Sequence, residues 1–74
     1  MSPENMKQIQ LAVAHAGDHL KDNLPSVEHL AHRNPYAHVW KAIKTEYGMS
    51  YKHLPDEDLQ GVLNLIEHCK NNPA

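Results

Sequence analysis

Between Asn34 and Ile66 the chain carries its structural punctuation in an order that leaves few folds open. Asn34-Pro35 is a helix entrance: a side chain able to cap free N–H groups, then a proline whose fixed φ suits the first helical position. Tyr36, Val39, Trp40, Ile43 and Tyr47 follow at three-and-four spacing, the pattern of one apolar helical stripe. Gly48 supplies a left-handed stop. Met49 to Pro55 forms a loop whose Tyr51 and Leu54 are expected to fold back onto the core. Asp56-Glu57-Asp58 then places three carboxylates where the positive end of a new helix would stabilise them. Leu59, Val62, Leu63, Ile66 and Cys69 make the next stripe. The spacing predicts helices from about Pro35 to about Tyr47 and from about Asp56 to about Lys70, with a frayed end beyond.

The first third of the chain uses the same grammar. Ser2-Pro3-Glu4 is a cap, a first-turn proline and an acid at the dipole's positive end. Met6, Ile9, Val13, Ala16 and Leu20 form a narrow stripe, so a helix is expected from about Pro3 to about Asn23. Gly17 weakens its middle by roughly 1 kcal/mol relative to Ala. Leu24-Pro25 ends it, because a residue before proline is pushed out of the helical region. Ser26 to Arg33 is an optional short fourth helix. No strand pattern, internal repeat or low-complexity segment is visible.

These elements predict an all-α fold: a small bundle of three principal helices, with Tyr36, Trp40, Ile43, Leu59, Leu63 and Ile66 at its centre. The 74 residues make one domain, near the lower size limit for a self-sufficient core. There is no Phe, so Trp40, Tyr36, Tyr47 and Tyr51 supply the large volumes. Cys69 is the sole cysteine, which rules out an internal disulfide and fits a reducing cytosol. No apolar run is long enough for a membrane span. The formal net charge of -2 argues against a strongly electrostatic nucleic-acid binder while leaving room for a local basic patch.

Seven histidines are many for this length. His15 and His19 stand one helical turn apart with Asp18 and Asp22 nearby, a spacing that can place two imidazoles on one metal. His29 and His32 form a second pair. Nothing in the spacing demands a metal, and solvated polar-face histidines are the default; no cofactor is expected. Cys69 beside His68 is not a catalytic pair, because adjacent helical residues point to different faces. Neither Ser/His/Asp nor Cys/His catalysis has support, so the chain is not expected to be an enzyme.

Arg33, Lys41, Lys44 and Lys52 face only Glu46 as an acid between residues 33 and 53. Lys41 and Lys44 share the polar face of the Trp40 helix with His38 and could touch phosphate. The triply acidic start of the last helix argues against that helix reading duplex DNA. Trp40 and the tyrosines could stack on bases, but their helical spacing favours a core role. The narrow stripe of the first helix, including Met6 and Val13, packs on the domain's own core or pairs with a partner helix or a second copy.

A family likeness runs through Ser2-Pro3, Ile9-Gln10-Leu11-Ala12-Val13, Tyr36, Trp40-Lys41-Ala42-Ile43-Lys44, Tyr47-Gly48, Ser50-Tyr51-Lys52, Leu54-Pro55 and the apolar positions Leu59, Val62, Leu63 and Ile66. In these residues the chain resembles the C-terminal domain of phage antirepressors and related prophage regulators, the open-reading-frame-six C-terminal domain family. The resemblance implies a phage or prophage origin, a regulatory setting in the bacterial host cytoplasm, and no catalytic residue.

The leading expectation is therefore a non-enzymatic protein-interaction module that regulates or inhibits a repressor or a host defence protein by binding it. Asp56, Glu57 and Asp58 are candidate contacts, since an acidic protein can compete for a basic surface. Met6 and Val13 are candidates for a helix-to-helix contact or a homodimer. The alternative is an accessory nucleic-acid-binding domain using Arg33, Lys41, Lys44 and Lys52.

Overall fold

A computed structural model describes residues 1–23 and 35–72. Three helices carry the fold: α1 (Pro3–Asn23), α2 (Pro35–Tyr47) and α3 (Leu59–Asn71). No strand occurs among the described residues. The expected short helix from Ser26 to Arg33 lies outside them.

Local chemistry sets the helix ends. The Asn5 N–H donates to Ser2 Oγ at 3.2 Å and the Met6 N–H to the Ser2 carbonyl at 2.9 Å, so Ser2 caps α1. At the end of α2, Gly48 adopts φ 72°, the one positive φ among the described residues, and its N–H donates to the Lys44 carbonyl at 2.8 Å. A short 3-10 turn, Tyr51–His53, follows. The last helix does not start at Asp56 as expected. Asp56–Asp58 forms its own 3-10 turn behind Pro55, and the α-helix begins at Leu59. The Asp58 N–H bonds the Pro55 carbonyl at 3.0 Å, a tight three-residue closure common at helix starts.

Side-chain contacts give the topology. Tyr36, at the start of α2, lies against Gly17 near the end of α1, while Tyr51 beyond α2 reaches Gln10. Tyr47, at the end of α2, lies over Gly61 at the start of α3. So α2 runs antiparallel to α1, α3 antiparallel to α2, and α3 parallel to α1. The close approach at Gly17 depends on the missing side chain: a Cβ there would sit 2.8 Å from Tyr36 Cγ and nearer still to two other ring atoms. The Tyr36 hydroxyl donates to Asp18, which fixes the ring over the glycine.

The core is centred on α1, not on the aromatic stripe. Ile9, Val13, Ala16 and Leu20 are buried together with Val39, Ile43, Tyr51, Leu54, Val62, Ile66 and Cys69. Ile43 and Ile66 stand where the sequence placed them. Tyr36, Trp40, Leu59 and Leu63 are only partly buried and pack on the outside of this cluster. All three helices contact one another, α1 most extensively, so its stripe is enclosed by both neighbours. Large side chains with polar tips fall at the seams, where ring and hydroxyl meet different surroundings.

Candidate functional site

The junction of α2 with the turn behind it forms a shallow, open cleft of about 330 Å³, lined by Trp40, Ile43, Lys44, Ser50, Tyr51 and Lys52. Each wall has a local cause. Gly48 reverses the chain, so the Tyr51 turn folds back along α2. Ser50 Oγ accepts from the Lys52 N–H at 3.4 Å, a weak cap on that turn. The Tyr51 ring then stacks on Trp40, with centroids 4.8 Å apart and planes 30° from parallel. From across the bundle, Gln10 Nε2 donates to the Tyr51 hydroxyl at 2.9 Å. Tyr51 is thus buried and held at both ends, while Trp40 keeps part of its surface open to the cleft.

Lysines border this aromatic floor. Lys44 and Lys52 line it, and Lys41 stands one turn further up α2; all three are exposed. The ion pair present among the described residues is Lys70 with Glu67, at 3.4 Å. Lys41, Lys44 and Lys52 therefore have no ion-pair partner among the described residues. Arg33, grouped with them in the sequence, lies outside the described residues.

Within the acidic turn, Asp56 bonds to the start of α1. Asp56 Oδ1 accepts from the Ser2 N–H at 2.6 Å and from Asn5 Nδ2 at 3.0 Å. Its carboxylate thus serves the first turn of α1, a helix more than fifty residues away in sequence. The Ser2 amide, then the Asn5 side chain, hold its pKa below the ordinary 3.8. The Met1 ammonium lies 3.5 Å from the Lys52 carbonyl beside it. Asp56 is accordingly a clasp between chain segments. Glu57 stays exposed and Asp58 is half-buried.

The other candidates sort by burial. Val13 is 2% exposed and belongs to the core, so it offers no surface to a partner, contrary to expectation; Met6 is partly buried against the same cluster. The α1 stripe is enclosed by α2 and α3, which leaves Val13 no face for a partner helix. His15 and His19 are both exposed on α1. Among the described residues, no three metal-ligating side chains gather; His29, His32 and the side chain of Asp22 lie outside them. His15 instead borders a second depression of about 250 Å³, floored by Ala12, Ala16, Leu63 and Ile66 and edged by Glu67 and Lys70. Cys69 is buried, and burial raises its thiol pKa, which disfavours the reactive thiolate.

Helical spacing and the loop position point Trp40 and Tyr51 to the core and do not join them to Lys44 and Lys52. The usable signal was Ser50-Tyr51-Lys52 after a glycine stop, which returns the chain to the helix it has just left. Gln10, the distant partner that orients Tyr51, had no local signal. Compared with family models, with curated proteins and with solved structures, the chain matches none. No helix among the described residues is long and apolar enough to cross a membrane.

Proposed function

We propose that this chain is a non-enzymatic protein-interaction module of phage or prophage origin, which regulates a repressor or a host defence protein by occupying it in the bacterial cytoplasm. The observation that carries the reading is the cleft at Trp40 and Tyr51, a preformed concave surface with an apolar floor and a cationic rim. Interaction sites concentrate binding energy in such places: an aromatic anchor point surrounded by polar groups that fix orientation. Its walls are braced by Gln10, Ser50 and Gly48, so little ordering cost attends binding. The phage setting and the choice of a repressor or defence protein rest on the family resemblance alone, which runs from Ser2-Pro3 through Trp40-Lys41-Ala42-Ile43-Lys44 and Ser50-Tyr51-Lys52 to Ile66.

A second reading, accessory nucleic-acid binding, is favoured by one observation: Lys41, Lys44 and Lys52 stand exposed around the same aromatic pair. An affinity pull-down from phage-infected host lysate separates the two. A specific protein retained with and without nuclease treatment supports the interaction module. Retention that disappears with nuclease refutes it and promotes the lysines as phosphate contacts.

A further inference from the structure

We infer that the cleft between α2 and the Tyr51 turn receives a short acidic protein segment built around one apolar anchor residue. This rests on the interaction-module reading and supplies its partner's chemistry. The floor is apolar: Ile43, the open part of Trp40, and Tyr51 behind it. At about 330 Å³ the cleft is near the small end of ligand-holding pockets, which run roughly 300–1,000 Å³. It suits a single large side chain with its flanking backbone. No carboxylate lines it, and both charged lining residues are lysines. Lys41 extends the positive strip along α2. Charge complementarity therefore selects an anion-rich occupant.

The surroundings decide which kind. The Lys52 carbonyl is neighbour to Met1, and the Ser2 amide is bonded to Asp56, so the acidic turn begins close beside the Lys52 end of the cleft. A nucleic-acid strand carries charge at every step, and one crossing the cleft from Lys41 past Lys52 would approach Asp56, where the acidic turn begins. A protein segment can confine its carboxylates to the Lys41–Lys44 side and present neutral residues to the acidic turn. Stacking points the same way. Platforms for single strands offer successive aromatic faces. Here Tyr51 is 9% exposed and already covers one face of Trp40.

The test is peptide selection on the whole folded chain. A random peptide display library is panned, and the selected peptides are titrated into isotope-labelled protein. Trp40 is the sole tryptophan, so its indole N–H gives one signal that reports on the cleft. Expected are peptides with Asp or Glu on one side of a Leu, Ile or Phe anchor, which shift that signal. The Lys44→Ala/Lys52→Ala variant, shown folded by circular dichroism, should bind them about tenfold more weakly, as two exposed ion pairs together contribute. The inference is overturned if no selected peptide moves the indole signal, or if selected peptides lack acidic residues. Equal binding by the double variant, or stronger binding of a polythymidine strand at the same signal, overturns it as well. The lysate pull-down keeps the two levels apart. A partner protein held equally by wild type and double variant leaves the module standing and removes the cleft. No retained protein removes the module itself.

Discussion

Replacing Gly17 with alanine sets two effects of known sign against each other. Alanine in a helix interior is favoured over glycine by about 1 kcal/mol. On helix propensity alone, Gly17→Ala should stabilise the protein. The Tyr36 ring opposes this, because the new Cβ would lie 2.8 Å from its Cγ and closer to Cδ1 and Cε1. The clash is with the body of the ring, so relief requires moving the whole side chain or the start of α2. Overpacking of this kind costs about 1–3 kcal/mol. A displaced ring also gives up its hydroxyl bond to Asp18, at the weak end of roughly 0.5–1.5 kcal/mol for an exposed pair. Sterics should win: Gly17→Ala is expected to destabilise by about 1–2 kcal/mol and lower Tm by about 5–10 °C for a domain of this size. Removing the ring should reverse the sign. In a Tyr36→Ala background the same substitution should stabilise by up to about 1 kcal/mol. Urea unfolding of the four proteins, followed by far-ultraviolet circular dichroism, closes the double-mutant cycle. Gly61→Ala is an internal contrast. Its Cβ would meet only the Tyr47 hydroxyl at 2.6 Å, the far end of a side chain that can swing aside. It should fall between neutral and about 1 kcal/mol stabilising. A Gly17→Ala protein more stable than wild type, or equally affected with and without Tyr36, would refute the packing argument.

Further expectations concern the clasp, the thiol and the turn. Because the folded pKa of Asp56 is depressed, its contribution is fully present above the unfolded value near 3.8 and disappears as pH falls through the lower folded value. Wild type should therefore lose stability in acid below pH 3.8 over a limb that Asp56→Asn lacks; identical acid limbs would rule the clasp out as its source. Cys69 should react with a thiol reagent far more slowly than a free thiol, since burial keeps it protonated, and urea should restore the ordinary rate. Cys69→Ser should cost about 1–2 kcal/mol by placing a hydroxyl in apolar packing, measured by thermal melting. Gly48→Ala meets no neighbouring atom, yet should destabilise by about 1 kcal/mol through its positive φ alone. An unchanged melting temperature would mean that the turn relaxes.

The helix framework was legible because its signals are local. Ser2-Pro3 and Gly48 act within one helical turn, and α1 and α2 begin or end at these markers. The centre of the core was less legible. Size and aromaticity pointed to Tyr36 and Trp40, but which stripe is enclosed depends on how the three helices pack on one another. That depends on the assembled bundle and favoured the plainer stripe of Ile9, Val13, Ala16 and Leu20. Asp56 shows the same limit. An acid at a helix start is a sound local signal, yet its carboxylate turned to the start of a different helix. In the cleft, Lys44 and Lys52 could be read as a basic cluster, whereas the floor they flank required Tyr51 to return to Trp40 with Gln10 behind it.

The up-down-up order of the helices has an electrical consequence. With α1 and α3 parallel, two helix N-termini and their partial positive charges lie toward one end of the bundle, and two C-termini toward the other. Glu4, Asp56, Glu57 and Asp58 collect at the first end; Lys21, His68 and Lys70 belong to the last turns at the second. The helix ends named here are thus flanked by side chains of charge opposite to their own. A net charge of -2 by itself predicts that added salt relieves repulsion and stabilises the fold. The aligned compensation predicts the reverse, a modest fall in the urea midpoint as salt screens each acid from its helix end. The sign of that slope reports whether charge total or charge placement governs this small domain.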